Sequence, residues 1–278
     1  MRELLKQARA GGYAVPSFCV WSAESMQVVL TAAERLRSPV ILMAGPCEMT
    51  LLSPAQMAEL YHEARLGTHV PTALHLDHGD TPELCWACIE AGFDAVMLDY
   101  SARPFAENVA ALKAISERAH AVGVTVEGEL GAVGRVDDQT PEGQHGSVLT
   151  DPALAEEYVR KTGVDALAVA IGNAHGIYTR LPEFDIPRLE AIHRRVDTAL
   201  VLHGGSGTPD DVLQRSIGLG IAKVNVASDL VRALQSSLLE KWARQPKSWP
   251  TTDLADAYRA MEPAIVSWIE RLGSAGKA

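Results

Sequence analysis

Short apolar runs alternate with amphipathic stretches along the whole chain. In order, the apolar runs read "YAVPSF", "PVILMA", "PTALHLD", "DAVMLD", "VTVEGEL", "DALAVAIG", "ALVLHGG" and "IAKVNVA". The amphipathic stretches predict helices over residues 23–37, 53–66, 82–91, 105–121, 152–161, 187–196, 209–217 and 229–243. Continuous apolar runs are typical of strands buried on both faces of a parallel sheet. Eight strand–helix units in 278 residues predict an α/β fold, a (β/α)8 TIM barrel forming one domain over residues 1–278.

The connections between these units favour the barrel over its main alternative. A doubly wound sheet would use similar units, but the chain has no glycine-rich dinucleotide fingerprint and its units are nearly equal in length. The longest irregular stretch, "GAVGRVDDQTPEGQHGSVLTDP", follows the fifth predicted strand. Because long polar loops on compact domains often serve as lids or binding loops, we expect a mobile active-site loop at about residues 134–149.

Charge and composition narrow the class of partner. A net charge of −10 without any lysine or arginine run disfavours nucleic acid or an anionic membrane as the main partner. The start, "MRELLKQARAGGYAVPSF", reads as a helix and a strand, without the pattern of a signal peptide or membrane span, so we expect a cytoplasmic protein. The four cysteines are too few for a disulfide framework, and Cys85 and Cys88 lie in a predicted helix where packing explains them.

Polar side chains collect at one end of the predicted strands. They are Asp77, His78, Asp99, Glu127, Glu129, Asn173, His175, His203 and Asn225, and all lie at or just after a strand's C-terminal end. In a barrel those ends share one mouth, where the active site is built. His78, His175 and His203 then form a three-nitrogen set suited to Zn²⁺, with a position left for substrate. His75 shares a strand face with Asp77 and is expected to pack inside the barrel or support the site.

Two glycine- and serine-containing segments follow the last two predicted strands. "HGGSG" (203–207) runs into the helix that begins "TPDD", and "NVASD" (225–229) runs into the final predicted helix. Backbone amides at such helix N-termini bind anions, and TIM barrels often bind phosphate with the loops after strands seven and eight. The pair therefore predicts a phosphate site beside the histidines.

These motifs resemble one enzyme family over essentially the whole chain. "LHLDHG", "MLDYS…PFAENV", "VEGELGAVG", "LAVAIGNAHGIY", "LHGGSG", "KVNVAS" and "GSAGKA" are similar, in the same order, to the zinc-dependent class II ketose-bisphosphate aldolases. The resemblance implies reversible cleavage of a ketose 1-phosphate or 1,6-bisphosphate to dihydroxyacetone phosphate and an aldehyde through an enediolate. It also implies a homodimer or homotetramer and a Zn²⁺ or other divalent cofactor. Whether a monovalent cation is required as well stays open.

The resemblance also implies roles for individual residues. His78, His175 and His203 would hold the metal, Asp77 would be the base, and Asp99 and Glu129 would support or replace the ligands. The dihydroxyacetone phosphate end would be held by Gly176, Gly204, Ser206, Asn225 and Ser228. A carboxylate next to a ligand histidine can move the proton of the C4 hydroxyl in cleavage, or of C3 in condensation. Adjacent strand residues face opposite ways, so a kink at the end of the third strand is expected to bring both Asp77 and His78 to the mouth.

The residues expected to contact the aldehyde half of the substrate depart from the family pattern. Cys19 and Ser22 stand where many members carry polar amides, and the loop reads "GRVDD" where "GG.ED" is usual. Asp137 then takes the position of a proton-shuttling glutamate, and Arg135 replaces a glycine. Arg259 is a candidate for the arginine that a neighbouring subunit supplies in this family. The identity of the acceptor aldehyde therefore stays open.

Four alternative functions remain to be weighed. A Schiff-base aldolase would need a lysine at a strand end, and only Lys223 qualifies. A non-catalytic sugar-phosphate-binding companion subunit should lack the ligands or the base, yet this sequence has both. A metal-dependent hydrolase on the same fold is disfavoured because the first strand lacks an HxH motif. A divergent class II aldolase that uses a different acidic or non-phosphorylated aldehyde is the alternative nearest to the main interpretation.

Overall fold

Eight parallel strands close into a barrel in sequence order. The computed structural model describes residues 1–135, 148–176, 178 and 182–278. The barrel strands are β1 Val15–Cys19, β2 Val40–Ala44, β3 Thr72–Gly79, β4 Ala95–Leu98, β5 Thr125–Leu130, β6 Ala166–Val169, β7 Ala199–Leu202 and β8 Ile221–Val226. Each strand pairs with the next, and β8 pairs with β1. The predicted TIM barrel is confirmed.

Helices surround the barrel and close one end of it. They are α1 Arg2–Gly11, α2 Ala23–Leu36, α3 Pro54–Ala64, α4 Pro82–Ala91, α5 Phe105–Ala121, α6 Pro152–Thr162, α7 Ile186–His193, α8 Asp210–Gly218, α9 Ser228–Arg244, α10 Pro250–Arg259 and α11 Glu262–Arg271. The eight predicted helices correspond to α2–α9 within a few residues. The sequence interpretation did not include α10, which packs on α9, or α11, which packs on α2. Within the described part of the chain, we find no helix with the length and apolar character needed to cross a membrane.

Inside the barrel, small apolar side chains fill the lower end, which is next to α1. Polar side chains fill the upper end, at the C-terminal ends of the strands. The lower cluster comprises Ile41, Ala73, Ala166, Ala168, Ala199, Val201 and Ala222, and α1 adds Leu5 and Ala8 to it. In β5, Val126 and Leu130 pack outward against the helices, whereas Glu127 and Glu129 are buried on the opposite side. Cys85 and Cys88 are buried between α4 and the barrel, as the packing interpretation predicts.

Two short parallel strands, Gly134–Arg135 and Ala174–His175, lie at the mouth after β5 and β6. Their register places Arg135 beside His175. Ala132 and Val148 form an antiparallel bridge at the base of the predicted loop. Asp137 lies outside the described residues.

Candidate active site

A cavity of about 440 Å³ opens at the C-terminal ends of the strands. The predicted site residues that line it are Cys19, Asp77, His78, Asp99, Glu129, Arg135, His175, Gly176, Gly204, Ser206, Asn225 and Ser228. His203 lies fully buried beneath the cavity, and its ring centroid is 4.6 Å from that of His78. The fold thus brings together residues from seven different strands or their following loops.

The three predicted ligand histidines converge on one point. Nε2 of His78 is 3.2 Å from Nε2 of His175, and one ligand nitrogen from each of the three histidines lies within 4.8 Å of the others. Nδ1 of His203 is buried without a hydrogen-bond partner among the described residues, and Oε2 of Glu129 is similarly unpartnered 3.3 Å away. A cation bound by both atoms would satisfy them. Three imidazoles and a carboxylate are the ligand types that Zn²⁺ prefers, so this set fits the metal.

A backbone kink places His78 in this group. Its φ is +47°, in the left-handed region that non-glycine residues rarely occupy. The pairing of β3 with β4 changes register between Leu76 and Gly79, so Asp77 and His78 both line the cavity although they are adjacent. Such a conformation costs about 1–3 kcal/mol and persists where surrounding contacts impose it. The predicted kink is confirmed.

Carboxylates hold the outer nitrogens of two of these histidines. Nδ1 of His78 is 2.7 Å from Oδ2 of Asp99, whose other oxygen accepts hydrogen bonds from the backbone and hydroxyl of Ser101 at 3.1 and 2.7 Å. Nε2 of His203 is 2.9 Å from Oε1 of Glu127. A carboxylate on the far nitrogen selects the tautomer and orients the ring of a metal-binding histidine.

Burial and neighbouring charges shift the pKa values of these groups in different directions. Burial lowers the pKa of His203 well below its usual range, and burial together with the charge of His78 lowers the pKa of His175 to about 4. Burial opposes protonation of His78 as well, but Asp77 and the hydrogen bond to Asp99 outweigh it and raise its pKa to about 10. Burial and then the charge of Asp99 raise the pKa of Glu129 to about 8. His175 and His203 are therefore neutral, as metal ligands must be.

Asp77, the predicted base, is hydrogen-bonded to Asn225, a residue expected to bind the substrate phosphate. Oδ1 of Asp77 accepts a hydrogen bond of 2.9 Å from Nδ2 of Asn225, while Oδ1 of Asn225 is buried with no partner among the described residues. Asn225 therefore orients Asp77. Its free carbonyl oxygen is an acceptor, which suits a hydroxyl better than a phosphate oxygen.

The two predicted phosphate loops meet beside Asp77. The N–H of Gly205 donates to the carbonyl of Asn225 at 2.9 Å, and the N–H of Asp229 donates to Oγ of Ser206 at 3.2 Å. In the first turn of α9 the N–H of Asp229 is taken by Ser206 and that of Leu230 by the carbonyl of Ala227, so the N–H of Ser228, at the cavity wall, is the amide left for an anion. Gly204 has a φ of +62°, and a Cβ there would lie 2.0 Å from the carbonyl oxygen of Ala174. Only glycine lets this loop pass the strand that carries His175.

The rest of the cavity lining includes residues that the sequence did not predict. Cys19 and Arg135 line the cavity, together with Met43, Gly45, Pro46, Cys47 and Glu48, which the sequence interpretation missed. Oε2 of Glu48 accepts a hydrogen bond of 2.9 Å from the N–H of Gly45. Glu48 lies in the loop after β2, as Asn173 and His175 lie after β6, so the rule that identified polar residues near the other strand ends would have found it.

Two residues assigned to the aldehyde side do not line the cavity. Ser22 caps α2, where its Oγ accepts from the N–H of Ser25 at 3.3 Å and donates to Oη of Tyr258 at 3.0 Å. Ser22 therefore serves as a helix cap and hydrogen-bond partner of Tyr258 in this structure. Arg259 is exposed, pairs with Asp256 at 2.8 Å and is not among the residues that line the cavity.

Comparison with known proteins agrees with this geometry. The family "Fructose-bisphosphate aldolase class-II" matches residues 1–277. The YdjI aldolase from Escherichia coli K12 is 32% identical, with a TM-score of 0.87 over 100% of this chain and 98% of that one. A protein from Coccidioides immitis, provisionally identified as a fructose-1,6-bisphosphate aldolase, is 31% identical, with a TM-score of 0.85 over 99% and 96% of the two chains. Fructose-bisphosphate aldolase from Campylobacter jejuni, at 22% identity, shares the fold with a TM-score of 0.84 over 99% and 95%.

Proposed function

The chain belongs to the class II fructose-bisphosphate aldolase family, and we propose that it is a zinc-dependent enzyme that cleaves a ketose phosphate to dihydroxyacetone phosphate and an aldehyde. The substrate would be a ketose 1-phosphate or 1,6-bisphosphate, and the reaction would be reversible. The convergence of His78, His175 and His203 beside Asp77 is the single observation that supports this proposal most directly.

Zinc held by His78, His175 and His203 would act as a Lewis acid that stabilises the negative charge of the enediolate. Asp77 would move the proton, taking it from the C4 hydroxyl in cleavage and from C3 in condensation. Its orientation comes from Asn225, which leaves Oδ2 of Asp77 for the substrate. Asp99 and Glu127 would hold the rings of His78 and His203 in place.

The phosphate end of the substrate would bind the N–H of Ser228 at the start of α9 and the loop from Gly204 to Ser206. The chain's net charge of −10 repels an anion at long range, so attraction has to come from such local dipoles and from the bound metal. This end of the cavity would therefore bind the dihydroxyacetone phosphate half of the substrate.

The Schiff-base alternative is disfavoured by the position of Lys223. Its Nζ is fully buried and lies 2.9 and 3.2 Å from the two oxygens of Glu127, and Lys223 does not line the cavity. A lysine that attacks a ketone must be exposed to substrate in its neutral form. The companion-subunit alternative is disfavoured because the histidines and Asp77 all meet in one cavity.

The aldehyde half supports a divergent acceptor as the second candidate. Glu48, Cys19 and Arg135 all line the cavity, so the substrate would meet an anionic and a cationic group in addition to the metal ligands. We also propose a cytoplasmic homodimer or homotetramer, in which exposed Arg259, which does not line its own cavity, would reach the substrate of a neighbouring subunit.

A condensation assay tests this function. Dihydroxyacetone phosphate is mixed with a panel of phosphorylated, acidic and neutral aldehydes, and the products are read by NMR. We expect one class of aldehyde to give a product, a chelator to abolish the reaction, Zn²⁺ to restore it, and borohydride with dihydroxyacetone phosphate to leave the enzyme active. Activity that survives the chelator and is lost to borohydride would instead identify a lysine enzyme.

A further inference from the structure

A buried ion pair lies directly beneath the three histidines. Nζ of Lys223 contacts Oε1 and Oε2 of Glu127 at 3.2 and 2.9 Å, and Oε1 of Glu127 is 2.9 Å from Nε2 of His203. All three side chains have no exposed surface. They form one continuous chain of polar contacts from the interior of the barrel to the predicted metal ligand.

Lys223 lies on the inward side of β8, next to an irregularity in that strand. The pairing of β8 with β7 changes register between Ile221 and Lys223. Ala222 belongs to the barrel interior, and Lys223 also points inward because it contacts Glu127. Val224 and Val226 pack outward and Asn225 lines the cavity. Lys223 is therefore on the inward side of β8 by regular alternation, and the bulge is what lets Ala222 face inward as well.

Burial of these charges has a cost that packing does not explain. An ion pair in the interior loses its hydration, and apolar side chains of similar volume often stabilise a protein as well or better. The lower interior is otherwise built from alanine, valine and isoleucine. A lysine here therefore needs a role other than filling the barrel.

The contacts identify what Lys223 does to Glu127. His75 also faces this carboxylate, with its Nε2 3.6 Å from Oε2 of Glu127, and both ring nitrogens of His75 lack a hydrogen-bond partner among the described residues. Without Lys223, Glu127 could turn toward His75. With both oxygens held by the ammonium, Oε1 stays on His203.

We propose that Lys223 is a positioning residue of the metal site. It holds Glu127 as an anionic acceptor for Nε2–H of His203, which leaves the lone pair of Nδ1 directed at the metal. Nδ1 of His203 is the atom that lies 3.3 Å from Oε2 of Glu129 and has no hydrogen-bond partner among the described residues. Lys223 thus acts through two intervening side chains and does not touch substrate.

The proposal rests on the metal site of the proposed function, but not on its substrate. It is tested on the full chain by measuring zinc affinity in competition with a chromophoric chelator, together with the thermal unfolding of the zinc-free protein. We expect Lys223→Met to weaken zinc binding about 10- to 100-fold. The matched control is Lys241→Met, which removes a lysine paired with Asp253 and Asp256 away from the cavity and should bind zinc like wild type.

A second variant separates positioning from general damage to the barrel. In Lys223→Met with Glu127→Gln no buried charge is left unpaired, so the zinc-free protein should unfold close to wild type, but nothing holds the side chain at position 127 on His203, so zinc binding should stay weak. Wild-type affinity in Lys223→Met, an equal loss in Lys241→Met, or a return of zinc affinity in the double variant would each overturn the proposal.

The tautomer of His203 gives a test that needs no folded variant. In the zinc-loaded wild type with ¹⁵N-labelled histidine, we expect Nε2 of His203 to carry the proton and Nδ1 to bind zinc. The opposite pattern would overturn the proposal. Zinc binding without any aldol chemistry would contradict the proposed function alone, whereas a wild type that binds no zinc would contradict both.

Discussion

Asn225 donates a hydrogen bond of 2.9 Å from Nδ2 to Oδ1 of Asp77, across the mouth of the barrel and 148 positions along the chain. β8 and β3 do not pair with each other, so this contact crosses the interior of the mouth. It fixes one oxygen of the carboxylate and leaves Oδ2 to exchange a proton with substrate. The orientation of the proposed base therefore depends on the closed barrel.

Replacement of Asp77 by alanine is expected to separate proton transfer from metal binding. The variant should keep its zinc but lose cleavage, and also the exchange of the dihydroxyacetone phosphate α-proton with solvent, by at least about 10²-fold, the effect typical of a general base. Exchange is followed by NMR in D₂O. Asp80→Ala, which removes a neighbouring carboxylate outside the cavity, is the control. Normal exchange in Asp77→Ala would assign the base elsewhere.

Replacement of His203 by alanine is expected to lower zinc content and abolish turnover without unfolding the barrel, because it removes one of three converging imidazoles. Zinc is quantified per chain after dialysis, and circular dichroism checks the fold. His62→Ala removes a histidine on α3 and should keep full zinc content. A fully zinc-loaded His203→Ala would refute the ligand assignment.

Zinc binding is expected to strengthen as the pH rises. His78 has its pKa raised to about 10, against burial, by Asp77 and Asp99. Zinc must displace the proton from His78, so each unit of pH below that value should weaken binding about tenfold for this one proton. Calorimetry in buffers of different ionisation enthalpy measures the protons released. In Asp99→Asn the dependence should flatten at high pH, because the pKa of His78 falls. Affinity independent of pH would contradict this account.

Arg135 is expected to select the aldehyde. It lies beside His175 at the cavity wall, where a guanidinium can bind a phosphate or carboxylate with two hydrogen bonds. Arg135→Ala should raise KM for an acidic ketose by about tenfold, roughly 1.4 kcal/mol, and leave proton exchange on dihydroxyacetone phosphate unchanged. Steady-state kinetics with charged and uncharged acceptors measure this. An equal preference for both acceptors in wild type and variant would show that Arg135 does not select.

Gly204→Ala is expected to disturb the metal and phosphate sites together. The new Cβ would lie 2.0 Å from the carbonyl oxygen of Ala174, so the loop or the strand with His175 must move. Gly12→Ala is the matched control, because Gly12 also has a positive φ, of +66°, but has nothing within 4 Å of its Cβ. Its cost should be limited to the left-handed backbone, about 1–2 kcal/mol. Denaturant unfolding and zinc affinity compare the two. Equal effects would mean that the close approach is unimportant.

Much of the fold was predictable because its signals are local. Strands β1–β8 and helices α2–α9 follow from apolar runs and amphipathic stretches that extend over a few turns or strand positions. The location of His78, His175 and His203 at C-terminal strand ends is also a property of the sequence. Glu48 carried the same signal and was overlooked, whereas Ser22 carried it equally and became a helix cap. Position at a strand end does not determine which way a side chain turns.

The sequence by itself determined the alternation of strands and helices, the residue types at the mouth and the family. Tertiary structure decided which of those residues touch. The left-handed turn at His78, the bond from Asn225 to Asp77 and the contact of Lys223 with Glu127 each arise from closure of the barrel. The physical reason is that periodicity records only whether a residue faces core or solvent. Hydrogen bonds between distant strands depend on register, twist and backbone irregularities that form only when all eight strands are paired.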